Sequence, residues 1–167
     1  NIVVIDHHRK GTDFIKDALI TYHEPYASSA SELMTEILQY AEDIELDMPS
    51  AEALYSGIFM DTKNFTFKTG VRTFEAASYL RTYGADTILI QRLLKEDIET
   101  YIERSKLIQT VDFARPGIAI ACGENLRVYD SVLIAQTADI LLTMKDVSAS
   151  FVIAYRNDGL IGISARS

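Results

Sequence analysis

The chain opens on an apolar run, Ile2-Val3-Val4-Ile5, that leads without a spacer into Asp6-His7-His8. A short buried strand ending in a carboxylate and two imidazoles is the reading that follows. A second strand is predicted from Ala18 to Tyr22. Ser29 and Glu32 then have capping-box spacing, and Leu33, Ile37, Tyr40 and Ala41 follow on one helical face. Pro49-Ser50 opens another helix, with Ala53, Leu54 and Ile58 apolar, running towards Asp61. A third spans Val71 to Tyr83 and stops at Gly84, the residue type that best tolerates the turn after a helix. Strand and helix alternating in this way indicate an α/β architecture with a mainly parallel sheet.

From Asp86 to Val111 the pattern is helical and rich in both charge signs, with Ile88, Leu89, Leu94, Ile98, Tyr101 and Ile108 among its apolar positions. It predicts one long connecting helix. Beyond Arg115-Pro116-Gly117 the texture becomes β-like: residues 118–122, 132–135, 150–155 and 160–164 read as short strands. Asn157-Asp158-Gly159 supplies a hairpin turn, and Thr137 to Met144 reads as a helix. The expected organisation is a first unit over 1–110, connecting helix included, and a smaller α/β unit over 111–167. Both look truncated, since the chain starts inside a strand and stops just after one.

The 167 residues are 48% hydrophobic, enough to bury a core. A net charge of −8 opposes a long nucleic acid held on a basic face. A small phosphate ligand stays compatible, because metal ions supply positive charge locally. No apolar run is long enough to span a bilayer. The single cysteine, Cys122, excludes an internal disulfide framework and reads as a small buried hydrophobe.

Candidate chemistry gathers at two places. Asp6, His7 and His8 stand at the carboxyl end of a strand, where α/β sheets collect ligands; imidazole with carboxylate suits Mn²⁺, Zn²⁺ or Fe²⁺. Taken alone, the triplet is a weak motif and reads first as a strand ending in a polar turn. Asp61 ends an apolar helix within Gly57-Ile58-Phe59-Met60-Asp61-Thr62. It is either a terminal cap or, since an acid opposes the helix dipole there, a ligand sharing a metal with His7 while Thr62 steadies the loop. His23 reads as a surface residue, and Lys63 and Arg72 as exposed charges. Phe65 and Phe67 read either as base-stacking rings or as packing under the loop. No serine or cysteine nucleophile is evident.

Together these segments resemble the DHH phosphoesterase superfamily, and within it the cyclic di-AMP phosphodiesterases of the GdpP type. The residues carrying the resemblance are Val4-Ile5-Asp6-His7-His8-Arg9, Glu24-Pro25-Tyr26-Ala27-Ser28-Ser29 and Gly57 to Phe65. Gly84-Ala85-Asp86, Leu93 to Asp97 and Gly162 to Ser167 extend it. The resemblance implies a two-lobed enzyme: a DHH lobe joined by the connecting helix to a DHH-associated, substrate-binding lobe. It implies two Mn²⁺ ions activating water, with His7 and Asp61 as metal ligands, Asp6 orienting His7, and His8 on the substrate phosphate. Ser164 and Arg166 would hold the nucleotide, and the product from cyclic di-AMP would be linear pApA. The family's other metal ligands lie upstream of Asn1 and its glycine-rich His loop beyond Arg166, so the chain alone is expected to be inactive. The setting implied is cytoplasmic, within a membrane-anchored parent; a homodimer is compatible. Two alternatives remain: a nanoRNase or pAp phosphatase on the same scaffold, and a non-catalytic nucleotide-binding module.

Overall fold

A computed structural model describes residues 1–125 and 127–167. The chain divides into two compact units, Asn1–Leu94 and Lys95–Ser167. In the first, strands β1 (Val3–Asp6) and β2 (Ile20–His23) pair in parallel, with Asp6 opposite His23. Helices α1 (Ala30–Gln39), α2 (Met48–Asp61), α3 (Val71–Thr82) and α4 (Thr87–Leu93) follow. Their shared core holds Tyr55, Ile58, Leu80 and Ile90, with alanines 51, 76, 77 and 85 filling the narrow spaces between.

The helix ends follow local chemistry. Ser29 Oγ accepts from the Glu32 N–H at 3.0 Å, the forward half of the predicted capping box. The Glu32 carboxylate does not reach back to the Ser29 backbone; it accepts instead from the Ser28 hydroxyl at 2.5 Å, inside the protein. Asp47 caps α2 through the Ser50 N–H. At the end of α3, Gly84 takes φ +92°. The Ala85 N–H donates to Leu80 O and the Gly84 N–H to Arg81 O, a Schellman pair that closes the helix.

The predicted single helix over 86–111 is two helices. Asp86 caps α4, and α5 (Ile98–Gln109) starts afresh at Asp97, whose carboxylate accepts from both the Thr100 N–H and hydroxyl. That side-chain competitor for the backbone ends the helical run despite its continuous apolar period. The units therefore divide at Leu94 rather than near residue 110, and α5 contributes Leu107 to the core of the second unit.

The second unit adds β3 (Asp112–Arg115), β4 (Ile118–Cys122), β5 (Val128–Tyr129), α6 (Ser131–Leu142), β6 (Ala149–Arg156) and β7 (Ile161–Arg166). Strand β6 is the hub of a mixed sheet: it pairs in parallel with β4 and β5 and antiparallel with β7. The β6–β7 hairpin turns at Gly159, φ +78°, as the Asn-Asp-Gly signal predicts. Residues 132–135, expected as strand, instead lie in α6, because Asp130 caps the run through the Val132 N–H. Cys122 is exposed, correcting the expectation of burial. The alternation of β4 turns Ala119 and Ala121 inward and leaves Cys122 at the open strand end. No described helix is long and apolar enough to cross a membrane.

Candidate functional site

At the end of β1 the Asp6 carboxylate turns back on the chain. Its Oδ1 accepts from the His8 backbone N–H at 3.0 Å and meets His8 Nδ1 at 2.8 Å. This two-residue reach is the ordinary Asx turn. The His8 N–H, and next the His8 ring, hold the Asp6 carboxyl below the usual carboxylate range. Asp6 thus orients His8 and not His7, contrary to the role expected for it.

His7 faces the other way. Its side chain is 12% exposed, and Nε2 lies 3.5 Å from Asp61 Oδ2 at the end of α2. Its Nδ1 is buried without a hydrogen-bond partner among the described residues. His8 is tilted against His7, ring centroids 4.4 Å apart, and points into solvent. The imidazole at position 7 and the carboxylate at position 61 therefore face each other.

The turn that follows Asp61 is unusual. Lys63, Asn64 and Phe65 have φ of 47°, 59° and 59°, three consecutive left-handed residues without a glycine, and Lys68 adds a fourth at 47°. L-residues resist that conformation, so contacts must enforce it. Thr62, fully buried, enforces it here. Its hydroxyl donates to Ile58 O and accepts from the Phe65 N–H, while its carbonyl accepts from the Thr66 and Phe67 N–H groups. Phe65 then packs edge-on to Tyr55 and Phe59. Of the two open readings for the phenylalanines, packing holds for Phe65, whereas Phe67 is exposed.

Two residues were misplaced by sequence reasoning. His23 is half-buried: its Nε2 donates to the His8 carbonyl at 2.6 Å, and Phe14 meets its ring edge-on. A carbonyl only accepts, so the proton sits on Nε2. No linear pattern signals this placement, because it depends on the register that sets Asp6 opposite His23. Arg72 is not a loose surface charge. It grips Glu36 with two hydrogen bonds, 2.6 and 2.7 Å, and Tyr22 donates to the same carboxylate. The Arg72 hydrogen bonds hold the Glu36 carboxyl below its ordinary range.

In the second unit, Arg166 Nε donates to Asp139 at 3.0 Å, and its Nη1 donates to Ser164 Oγ at 3.2 Å. The structure so pairs Ser164 with Arg166 on β7, and separately gathers Asp6, His7, His8 and Asp61 in the first unit. Among the described residues no three potential ligands cluster around one metal position.

Do His7 and Asp61 suit a divalent ion? Two donors each about 2.1 Å from one ion stand roughly 3.0 to 3.4 Å apart at octahedral or tetrahedral angles. The observed 3.5 Å matches that spacing better than a close hydrogen bond. A cleft of about 590 Å³ lined by His7, His8, Arg9, Pro25, Tyr26 and Lys68 gives access.

Residues 1–58 match the DHH family, N-terminal domain. The chain matches a DHH superfamily segment. Over its whole length it is 57% identical to "Cyclic-di-AMP phosphodiesterase GdpP" of Geobacillus thermodenitrificans. It is 53% identical to "Cyclic-di-AMP phosphodiesterase PdeA" of Listeria monocytogenes. It spans 26% of each of those proteins, about a quarter of their length. An exopolyphosphatase-related protein from Bacteroides fragilis superposes with a TM-score of 0.84 at 23% identity, over 99% of this chain and 50% of that one. The chain thus shares its mixed α/β fold with that protein.

Proposed function

We propose that this DHH segment belongs to a manganese-dependent phosphodiesterase that opens cyclic di-AMP to linear pApA. The approach of His7 Nε2 to Asp61 Oδ2, 3.5 Å, carries the reading, because it brings together two donors suited to a borderline ion. The names of the relatives supply the substrate class. Manganese, when bound, would supply a nucleophilic hydroxide near neutral pH and offset charge on the phosphoryl oxygens.

In this reading His7 and Asp61 hold the ion. Asp6 fixes the ring of the exposed His8 through the 2.8 Å contact, aiming it at a substrate phosphate. Arg166 and Ser164 take the nucleotide or its phosphate, a task suited to a planar guanidinium. Asp139 holds the Arg166 side chain in place.

The test compares the natural full-length protein with the 167-residue chain, each assayed for Mn²⁺-dependent release of pApA. The long form should be active and the chain alone inactive. His7→Ala and Asp61→Asn should each abolish turnover in the long form. Full activity in either variant would sink the proposal, and turnover by the chain alone would overturn its expected inactivity. A second reading, a nucleotide-binding module, applies to the isolated chain because its described residues gather no third ligand. Calorimetry on the full-length protein, with and without Mn²⁺, separates the two: affinity for cyclic di-AMP without hydrolysis there supports the module.

A further inference from the structure

A second depression continues from the histidine cleft. It has a volume of about 610 Å³ and is lined by Pro25, Tyr26, Phe65, Lys68 and Phe74, with the backbone around Thr69 and Gly70. Pro25, Tyr26 and Lys68 line both depressions, so the two are contiguous. The size suits a small ligand.

Its walls carry unsatisfied aromatic surface. Phe65 and Phe74 lie nearly parallel, 15° apart with centroids at 5.7 Å, and Phe74 remains 57% exposed. Tyr26 is 91% exposed. Aromatic rings left open beside a polar cleft offer a stacking platform that any flat heterocycle can use. The charge between the rings and the histidines is positive: Lys68 and Arg9 line the junction, in a chain whose net charge is −8. The strained turn fixes this arrangement, since Phe65 and Lys68 are both held in the left-handed region. Strain of this kind persists only where surrounding contacts over-determine it, and it collects at ligand sites.

We propose that this depression is a nucleobase subsite, in which a base stacks on Phe74 and Tyr26 while Lys68 holds the phosphate leading back to His7 and His8. The assignment rests on the proposed function for the identity of the substrate, but it makes a separate claim about where one base lies. Tyr26 and Phe74 act on the base alone; Lys68 acts on the phosphate alone.

The probes are AMP and ribose 5-phosphate, which share the phosphate and differ by the base. Binding of each to the full-length protein is measured by calorimetry. Wild type should prefer AMP, and Phe74→Leu or Tyr26→Leu should each weaken AMP by about tenfold while leaving ribose 5-phosphate unchanged. Phe74→Tyr, which keeps the ring, should retain AMP affinity, and Lys68→Met should weaken both probes. Equal affinities for the two probes in wild type would overturn the subsite. So would leucine variants whose AMP affinity stays within about twofold of wild type. If these shifts appear while cyclic di-AMP is not hydrolysed, the activity proposal fails and the subsite stands. If hydrolysis persists and the shifts are absent, the subsite fails alone.

Discussion

Thr62→Val tests how the turn after Asp61 is held. Valine keeps the shape of threonine and removes the one hydroxyl that accepts from the Phe65 N–H at 3.0 Å. Ile58 O loses little, since it still accepts from the Thr62 N–H. The Phe65 N–H, half-buried, is left without its acceptor, at a cost of about 1–3 kcal/mol. That loss falls on a segment already under load. Three consecutive left-handed L-residues cost roughly 1–2 kcal/mol each, or about 3–6 kcal/mol together. Thr62 offsets this through three accepted hydrogen bonds, and valine keeps the two on the carbonyl. A net destabilisation of about 2 kcal/mol follows, which for a unit of this size lowers Tm by roughly 8–16 °C. Differential scanning calorimetry on wild type, Thr62→Val and Thr62→Ser reads it directly. Serine retains the hydroxyl and should recover most of the loss. A valine variant melting within about 2 °C of wild type, or a serine variant no better than valine, would refute the role given to the hydroxyl.

Gly57→Ala should destabilise the first unit by about 1–3 kcal/mol in urea denaturation, because the new Cβ overlaps Ser31 Oγ and stands 3.0 Å from Ser31 Cβ. An unchanged midpoint would mean that α1 and α2 have room to part. Gly84→Ala should cost about 1 kcal/mol, since an L-residue must then hold φ +92° in the Schellman turn; unaltered stability would refute the strain. For Glu36→Gln the effect depends on pH. The folded-state pKa of Glu36 lies below its ordinary value of 4.5, so the Arg72 pair contributes above that value and is lost as pH falls through the folded pKa. The stability gap between wild type and Glu36→Gln should therefore shrink as the medium is acidified from neutral to below 4.5. A gap independent of pH would show that the pair contributes no charge-dependent stability.

The parts of the fold readable in sequence were those with local causes. The caps at Ser29 and Gly84 and the Asn-Asp-Gly turn act within a few residues of themselves, and all three stand where expected. The break at Asp97 was equally local but was masked by an apolar period running through it; the side-chain cap prevailed over the pattern. The residues 132–135 were misread for a related reason, since a short apolar run has no period of its own and only Asp130 marks the helix. In the site, an approach of His7 to Asp61 stood as one of two readings of an acid at a helix end, and the resemblance favoured it. The placement of His23 depends on strand register, and the pairing of Arg72 with Glu36 depends on how α3 packs against α1. Neither leaves a trace in a linear pattern.

The register of β1 against β2 is secured twice. Tyr22 is tied to Glu36 on α1, and His23 to the His8 carbonyl; a slip of one residue would undo both at once. Between the strands, Arg9 lines the histidine cleft and Phe14 touches His23, while Gly11 has nothing within 4 Å of where a Cβ would stand. One or two residues inserted at Gly11-Thr12 should leave the histidines where they are, making that crossover a natural place to attach a reporter without disturbing the chemistry beside it.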